Sequence, residues 1–275
     1  MDFSIITPSF RNGSWLKLCI ASVADQTGVT REHIVQDAGS DDGTLDWLPR
    51  DSRVCAFVEK DNGMYDAINR GLRRAQGDIL AYLNCDEQYL PGALAAVKKF
   101  FDAHPKIEVL FGDVVVVDAE GHCIACRKMV LPSRTHVQVS HLPTFTCATF
   151  FRRSLVQKHQ LFFDPQWRIV GDAAWIVKMI EKRIRMAMLH RYTSAFTQTG
   201  DNLSVSPNAL NEKLRLRSTA SPWTRALKPL WITRHRLDKW SAGCYRQAPF
   251  QYDIYTQSQS DQRTTFNVTH PKFRL

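Results

Sequence analysis

The apolar positions of this chain come in short unbroken runs, separated by stretches where they recur every three to four residues. FSIIT (3–7) is a run of the first kind, closed by Pro8, and predicts a buried strand. Ser14 then reads as the cap of a helix over WLKLCIASVADQ, with Leu16, Ile20, Val23 and Ala24 facing inward. HIVQ (33–36) predicts a second strand and VCAFVE (54–59) a third, with the turn-rich DAGSDDGT between them. MYDAINRGLRRA (64–75) places Met64, Ile68, Leu72 and Ala75 on one helical face. DILAYL (78–83) is a fourth strand, and PGALAAVKKFFDAH (91–104) a helix with proline near its first turn.

The later pattern differs. VLFGDVVVVDAEGHCIACRKMV predicts a hairpin turning at 119–121, TCATFFRRS a strand, and GDAAWIVKMIEK (171–182) a helix with Ala174, Val177 and Ile180 inward. Continuous apolar strands alternating with helices predict an α/β fold, a Rossmann-like, mainly parallel sheet covered on both faces. The expected division is 1–205, made of a 1–90 half and a 91–205 half, followed by a basic helical extension over 206–275.

In such sheets ligands bind beyond the carboxyl ends of the strands. Polar clusters fall at four consecutive strand ends: Thr7, Pro8 and Ser9; Asp37; Glu59 to Asn62; and Asn84, Cys85, Asp86 and Glu87. The edge has neither the GxxxxGK[ST] of a P-loop nor a GxGxxG dinucleotide fingerprint. It carries carboxylates and amides, which repel a diphosphate unless a divalent cation such as Mg2+ or Mn2+ bridges the two.

The segments TPSFRNGSWLKLCIASVADQT, HIVQDAGSDDGT, EKDNGMYDAINRGLRRAQGDILAYLNCDEQY and FDPQWRIVGDAAWIVKMI resemble those of an inverting family 2 glycosyltransferase with the GT-A fold, of bacterial cell-surface polysaccharide biosynthesis. The resemblance covers roughly residues 3–205. It implies that Thr7, Pro8 and Ser9 lie along the nucleotide base and that Asp37 hydrogen-bonds it. Asp61, Asn62, Asp66, Asn84 and Cys85 would border the nucleotide sugar. Asp86 would hold the metal bridging the diphosphate, and Asp172 would be the general base. Trp175 and Glu87 are candidates for the acceptor site. Two departures stand out: Asn84 replaces the first Asp of the family's Asp-x-Asp, and Gly171 replaces a commonly acidic residue before the base.

Each residue also has a plainer reading. Asp86 and Glu87 alone would be solvated loop residues. Asp172 would be a favourable charge in the first turn of a helix. Asp37 would form an Asx-turn beside Gly39, and Asp41, Asp42 and Gly43 read as turn chemistry. Trp175 fits a core as well as an acceptor site, and His141 and His190 read as structural histidines.

Composition narrows the setting. The 275 residues are 44% hydrophobic and 23% charged, with no apolar run of membrane-spanning length. No signal-peptide pattern opens the chain, so its seven scattered cysteines read as free thiols in the cytoplasm. Cys123 and Cys126 form a lone CxxC without a second ligand pair, and the three sequons, at Asn12, Asn202 and Asn267, read as chance matches. The net charge of +9 is concentrated in 211–240, where eight Lys/Arg face Glu212 and Asp238 and interleave with Trp223, Trp231 and Trp240. That segment reads as a solvated face or as an anchor on an anionic membrane surface. Nucleic-acid binding ranks last, for want of an accompanying motif. Pro222 and Pro229 should divide it into short helices.

The expectation is a metal-dependent enzyme moving a sugar from a nucleotide donor, most often UDP-linked, to a hydroxyl of a glycan or lipid-linked oligosaccharide. It would act in the cytoplasm or on the inner membrane face, and an oligomer remains open. The rivals are a sugar-nucleotide nucleotidyltransferase and a non-catalytic protein of the same fold.

Overall fold

The computed structural model describes residues 1–200 and 207–273. The expected boundary at 205/206 and the sequon at Asn202 lie outside them. In chain order the elements are β1 (Phe3–Ser9), α1 (Gly13–Ala24), β2 (Arg31–Asp37), β3 (Cys55–Val58), α2 (Met64–Arg74), β4 (Ile79–Tyr82), β5 (Glu87–Tyr89), α3 (Ala93–Ala103), β6 (Val109–Val117) and β7 (Cys123–Arg127). They continue with α4 (Arg134–Val139), β8 (Thr149–Arg152), α5 (Ser154–Gln157), α6 (Gly171–Glu181), β9 (Met186–Thr197), α7 (Pro207–Ser218), α8 (Pro222–Ala226), α9 (Lys228–Ser241), β10 (Phe250–Thr256) and β11 (Gln259–Val268).

Among the described residues nine strands form one sheet in the order β3-β2-β1-β4-β8-β6-β9-β5, with β7 on β6. β3, β2, β1 and β4 are parallel, with Ser9 opposite Asp37 and Phe3 opposite Ile79. β8 runs antiparallel between β4 and β6, so the second half is mixed. Alternate residues of each strand feed different layers. Phe3, Ile5, Ile79, Ala81 and Leu83 pack under α1 and α3, while Ile6, Leu80 and Tyr82 pack under α2 and α6. Both faces are thereby covered, which is why the strands read as unbroken apolar runs. α2 crosses β1 so closely that a Cβ on Gly71 would stand 2.5 Å from Ile6.

Three local differences have physical causes. The first helix begins at Gly13, and Ser14 lies inside it; the Gly13 amide donates to Asp42 Oδ2 at 3.1 Å, a cap supplied from the β2–β3 loop. The turn-making role of Asp42 is thereby seen directly, since its Oδ1 also accepts from the Thr44 hydroxyl at 2.6 Å. Glu87 to Tyr89, read as loop, form the short strand β5 because they pair antiparallel with β9. The C-terminal region is helical only in part. α8 opens at Pro222 and α9 has Pro229 in its first turn, as their fixed φ favours. The chain then ends in a hairpin, β10–β11, which buries Tyr252, Ile254 and Val268 against Val115, Val117 and Ala195.

Candidate active site

Thr7 is fully buried, its hydroxyl 2.8 Å from His33 Nε2 and 3.6 Å from Cys19 Sγ. It faces the α1 layer, not the open strand-end edge where it was expected; Pro8 beside it is half-buried. Ser9 and Asp37 are buried too. Asp37 Oδ1 accepts from the Gly39 and Ser40 amides (2.9 and 2.7 Å), and Oδ2 accepts from the Ser9 and Ser40 hydroxyls (2.8 Å each). The carboxylate is therefore the Asx-turn former, and a base could reach it only by displacing one of these four donors.

The third strand end is an ion-pair corner. Glu59 meets Arg74 at 2.7 Å and Arg70 at 3.4 Å, and Arg70 also pairs with Asp66 at 2.9 Å. Asp66 accepts from the Asn62 amide (3.0 Å) and Asp61 from the Gly63 amide (2.8 Å), so both acids shape the entry to α2. Asn62 is exposed, and its carbonyl accepts from Arg168 of the later loop.

The fourth strand end is short of positive charge. Cys85 is buried with its thiol donating to the Pro8 carbonyl at 3.1 Å. Glu87 is fully buried, and its Oε2 accepts from the Asn84 amide at 2.8 Å. That burial corrects the expectation of Glu87 as an acceptor-site residue: it lies beneath the edge. Its carboxyl is pushed up to about 8 by burial and by neighbouring Asp86. Asp86, half-buried, is also raised by burial. Glu87 Oε1 and Asn84 Oδ1 are buried acceptors without a partner. The unpartnered Asn84 side-chain oxygen next to the Asp86 carboxylate fits a hard divalent cation, which takes oxygen ligands. The Asn84 departure keeps a ligand oxygen while removing a charge.

Asp172 is held in the first turn of α6. Its Oδ1 accepts from the Ala173 amide at 2.8 Å, and its own amide donates to the Tyr65 hydroxyl at 3.1 Å. Tyr65, from α2, donates to the Ile169 carbonyl at 3.0 Å. Burial lifts the Asp172 carboxyl to about 6, against these hydrogen bonds, and Glu212 adds a smaller upward push. Gly171 has a steric cause: a Cβ there would stand 2.5 Å from the Tyr65 ring, so no acidic side chain fits before Asp172. A second carboxylate arrives from elsewhere instead. Glu212 of α7 accepts from the amides of Arg168 (2.7 Å), Ile169 and Val170 (2.9 Å each), closing the loop that leads into α6.

Tyr82 of β4 lies between the two acidic corners. Its hydroxyl is pushed up by burial first, then by Tyr65, Asp172 and Glu87. Trp175 is core: it is 3% exposed, stacks on Phe163 at 4.4 Å and donates to the Leu161 carbonyl at 2.8 Å. Tyr65, Arg168 and Glu212 were not singled out from sequence. The one available signal was Glu212, an acid isolated in a basic run.

The sequence pattern described as Glycosyl transferase family 2 matches residues 4–159. A PGL/p-HBAD biosynthesis glycosyltransferase of Mycobacterium tuberculosis is 36% identical over 120 residues, 42% of this chain and 47% of that protein. The minor teichoic acid biosynthesis protein GgaB of Bacillus subtilis is 25% identical over 225 residues, 77% of this chain and 25% of that protein. This chain thus spans about half the length of the first relative and a quarter of the second. S. aureus TarS residues 1–349, solved with UDP-GlcNAc, superposes with a TM-score of 0.64 at 18% identity, covering 88% of this chain and 73% of that one. Mannosyltransferase PcManGT of Pyrobaculum calidifontis, solved with GDP-Man and Mn2+, gives 0.54 at 16%, covering 90% and 76%. The fold is the GT-A fold of these neighbours, and the chain belongs to glycosyl transferase family 2.

Proposed function

We propose that this protein is an inverting glycosyltransferase that moves a sugar from a nucleoside diphosphate, UDP by preference, to a hydroxyl of a glycan acceptor in cell-surface polysaccharide assembly. The observation that carries this reading is Asp172: a carboxylate with a pKa of about 6, fixed at the start of α6, with Tyr82 near both it and Glu87. Such a group is ionised at neutral pH yet basic enough to take a proton. As the acceptor oxygen attacks the anomeric carbon, its proton passes to Asp172, the new C–O bond forms and the bond to the diphosphate breaks. One positioned base and one displacement give inversion.

Asp86, with the Asn84 carbonyl oxygen, would hold the divalent ion, Mn2+ or Mg2+. When bound, that ion supplies Lewis-acid stabilisation of the charge gathering on the departing diphosphate. Glu87 lies below and holds the Asn84 amide in place. Asn62, Asp61 and Arg168 border the gap where the sugar would sit. Thr7 and Asp37 would act through Pro8 and Ser9, shaping the base-binding edge from beneath it. The domain reading places the donor on 1–90 and the acceptor and base on 91–205, with the 206–275 extension on an anionic membrane surface.

The test is transfer from a panel of nucleotide sugars, with calorimetry of UDP in the presence and absence of Mn2+. Asp172→Asn should lose transfer while keeping metal-dependent UDP binding, and Asp86→Ala should lose the metal dependence. Full transfer by Asp172→Asn would sink the base assignment. An absence of nucleotide binding would favour a non-catalytic protein of this fold.

A further inference from the structure

His136 on α4 and His141 just after it bring their rings against that of His235 on α9, far along the chain. The His136 and His235 rings stack at 3.9 Å between centroids, and His141 stands edge-on to both, at 4.7 and 5.9 Å. One ring nitrogen from each lies within 4.8 Å of the others. His136 is 1% exposed, and neither of its nitrogens makes a hydrogen bond of normal geometry, though the Trp231 backbone lies near the ring. A buried imidazole with two idle nitrogens is costly unless something binds it. Ser140 Oγ lies 3.0 Å from His141 Nδ1, a contact that orients the ring and leaves Nε2 free for a metal bond.

We propose that His136, His141 and His235 form a transition-metal site that binds Zn2+ and staples α9 to α4. Zinc–imidazole bonds of ~2.0–2.1 Å in tetrahedral geometry set ligand nitrogens roughly 3.3 Å apart, so closing the cluster requires the stacked His136 and His235 rings to turn out of parallel. Three histidines leave a fourth position for water. Arg127 and Lys239 also face the cluster and oppose a second positive charge. An all-imidazole ligand set favours an ion with high imidazole affinity over Mg2+, which takes oxygen ligands. The site shares no residue with the Asp86 or Asp172 corners.

The full chain, stripped with a chelator and kept in millimolar Mg2+ to occupy the Asp86 corner, would be titrated with Zn2+ by calorimetry. One zinc per chain is expected, together with a higher melting temperature. His141 is exposed, so His141→Ala should fold as the zinc-free wild type does; it and His235→Gln should each weaken zinc binding by about 100-fold or more. A Cys123→Ser/Cys126→Ser double variant should bind as wild type, and Co2+ in place of Zn2+ should give a spectrum without thiolate charge transfer. No zinc bound by the wild type, undiminished binding in His141→Ala, or a thiolate band lost with the two cysteines would each overturn the proposal.

Discussion

The Asp172 carboxyl shows how burial and hydrogen bonding set a catalytic range residue by residue. Its folded pKa, about 6, lies above the 3.8 of a free Asp, because burial outweighs the bonds from Ala173 and Tyr65. The base must be ionised to work, so kcat/KM should fall about tenfold per pH unit below pH 6, read from a pH–rate profile. The stability sign is opposite. The native state holds the proton between pH 4 and 6 while the unfolded chain releases it, so this group's contribution to stability is present at low pH and lost as pH rises through 6. Asp172→Asn should therefore melt no lower than wild type at pH 7 while losing roughly 10²–10⁴-fold in turnover. Tyr65→Phe frees the Ile169 carbonyl and the Asp172 amide and should cost about 1–3 kcal/mol in denaturant melts. The DILAYLNCDEQ pattern showed where Asp86 would fall, because a strand end is readable from local sequence. It could not show that Thr7 and Glu87 turn inward, since that depends on which neighbours β1 and β5 acquire.

At the scale of elements, the loop before Asp172 depends on a helix from the C-terminal region. Glu212 accepts three amides that α6 and its lead-in cannot satisfy alone, an N-terminal cap delivered in trans by α7. Glu212→Gln keeps the shape but weakens three charge-assisted bonds, and should lower stability by about 1–2 kcal/mol. It should also move the acid limb of the pH–rate profile to lower pH, since Glu212 raises the Asp172 pKa. An unchanged profile would show that α7 holds the loop without acting on the base. A similar tie secures the hairpin: Arg263 of β11 clamps Asp25 at 2.6 and 2.8 Å and reaches the Tyr89 carbonyl at 3.0 Å. Arg263→Ala should cost roughly 2 kcal/mol by the loss of partly buried, charge-assisted bonds. The parallel half was legible because its strands are apolar throughout. The β10–β11 hairpin was not, because β11 reads QSDQRTTFNV and only its partner strand and the face it covers give those residues a reason to extend.

For the whole molecule, α7 reaches the loop before Asp172 through Glu212, and the surface of the C-terminal helices then bears on what the site can reach. Among the described residues no helix is long and apolar enough to cross a membrane. Yet α7 to α9 leave Leu210, Leu214, Trp223, Leu227, Leu230, Leu237 and Trp240 exposed, Trp223 at 79%. They sit among the basic residues of a segment carrying +6. A solvated face explains the charges but not two exposed tryptophans; an anionic interface accommodates both, the rings at the headgroup level and the cations on the phosphates. Because α7 also carries Glu212, docking this surface would bring a lipid-linked acceptor close to Asp172. The full chain should sediment with vesicles containing anionic lipid and stay free of zwitterionic ones. Each near-surface cation contributes about 1 kcal/mol, so Lys228→Gln/Arg234→Gln/Arg236→Gln should weaken binding by about 100-fold. Salt of ~0.5 M should release most of the wild type, as screening shortens the reach of its charges. Trp223→Ala/Trp240→Ala should weaken binding without changing that salt slope, separating the ring contribution from the charge. Equal binding to both vesicle types, or none, would return 211–240 to a solvated face.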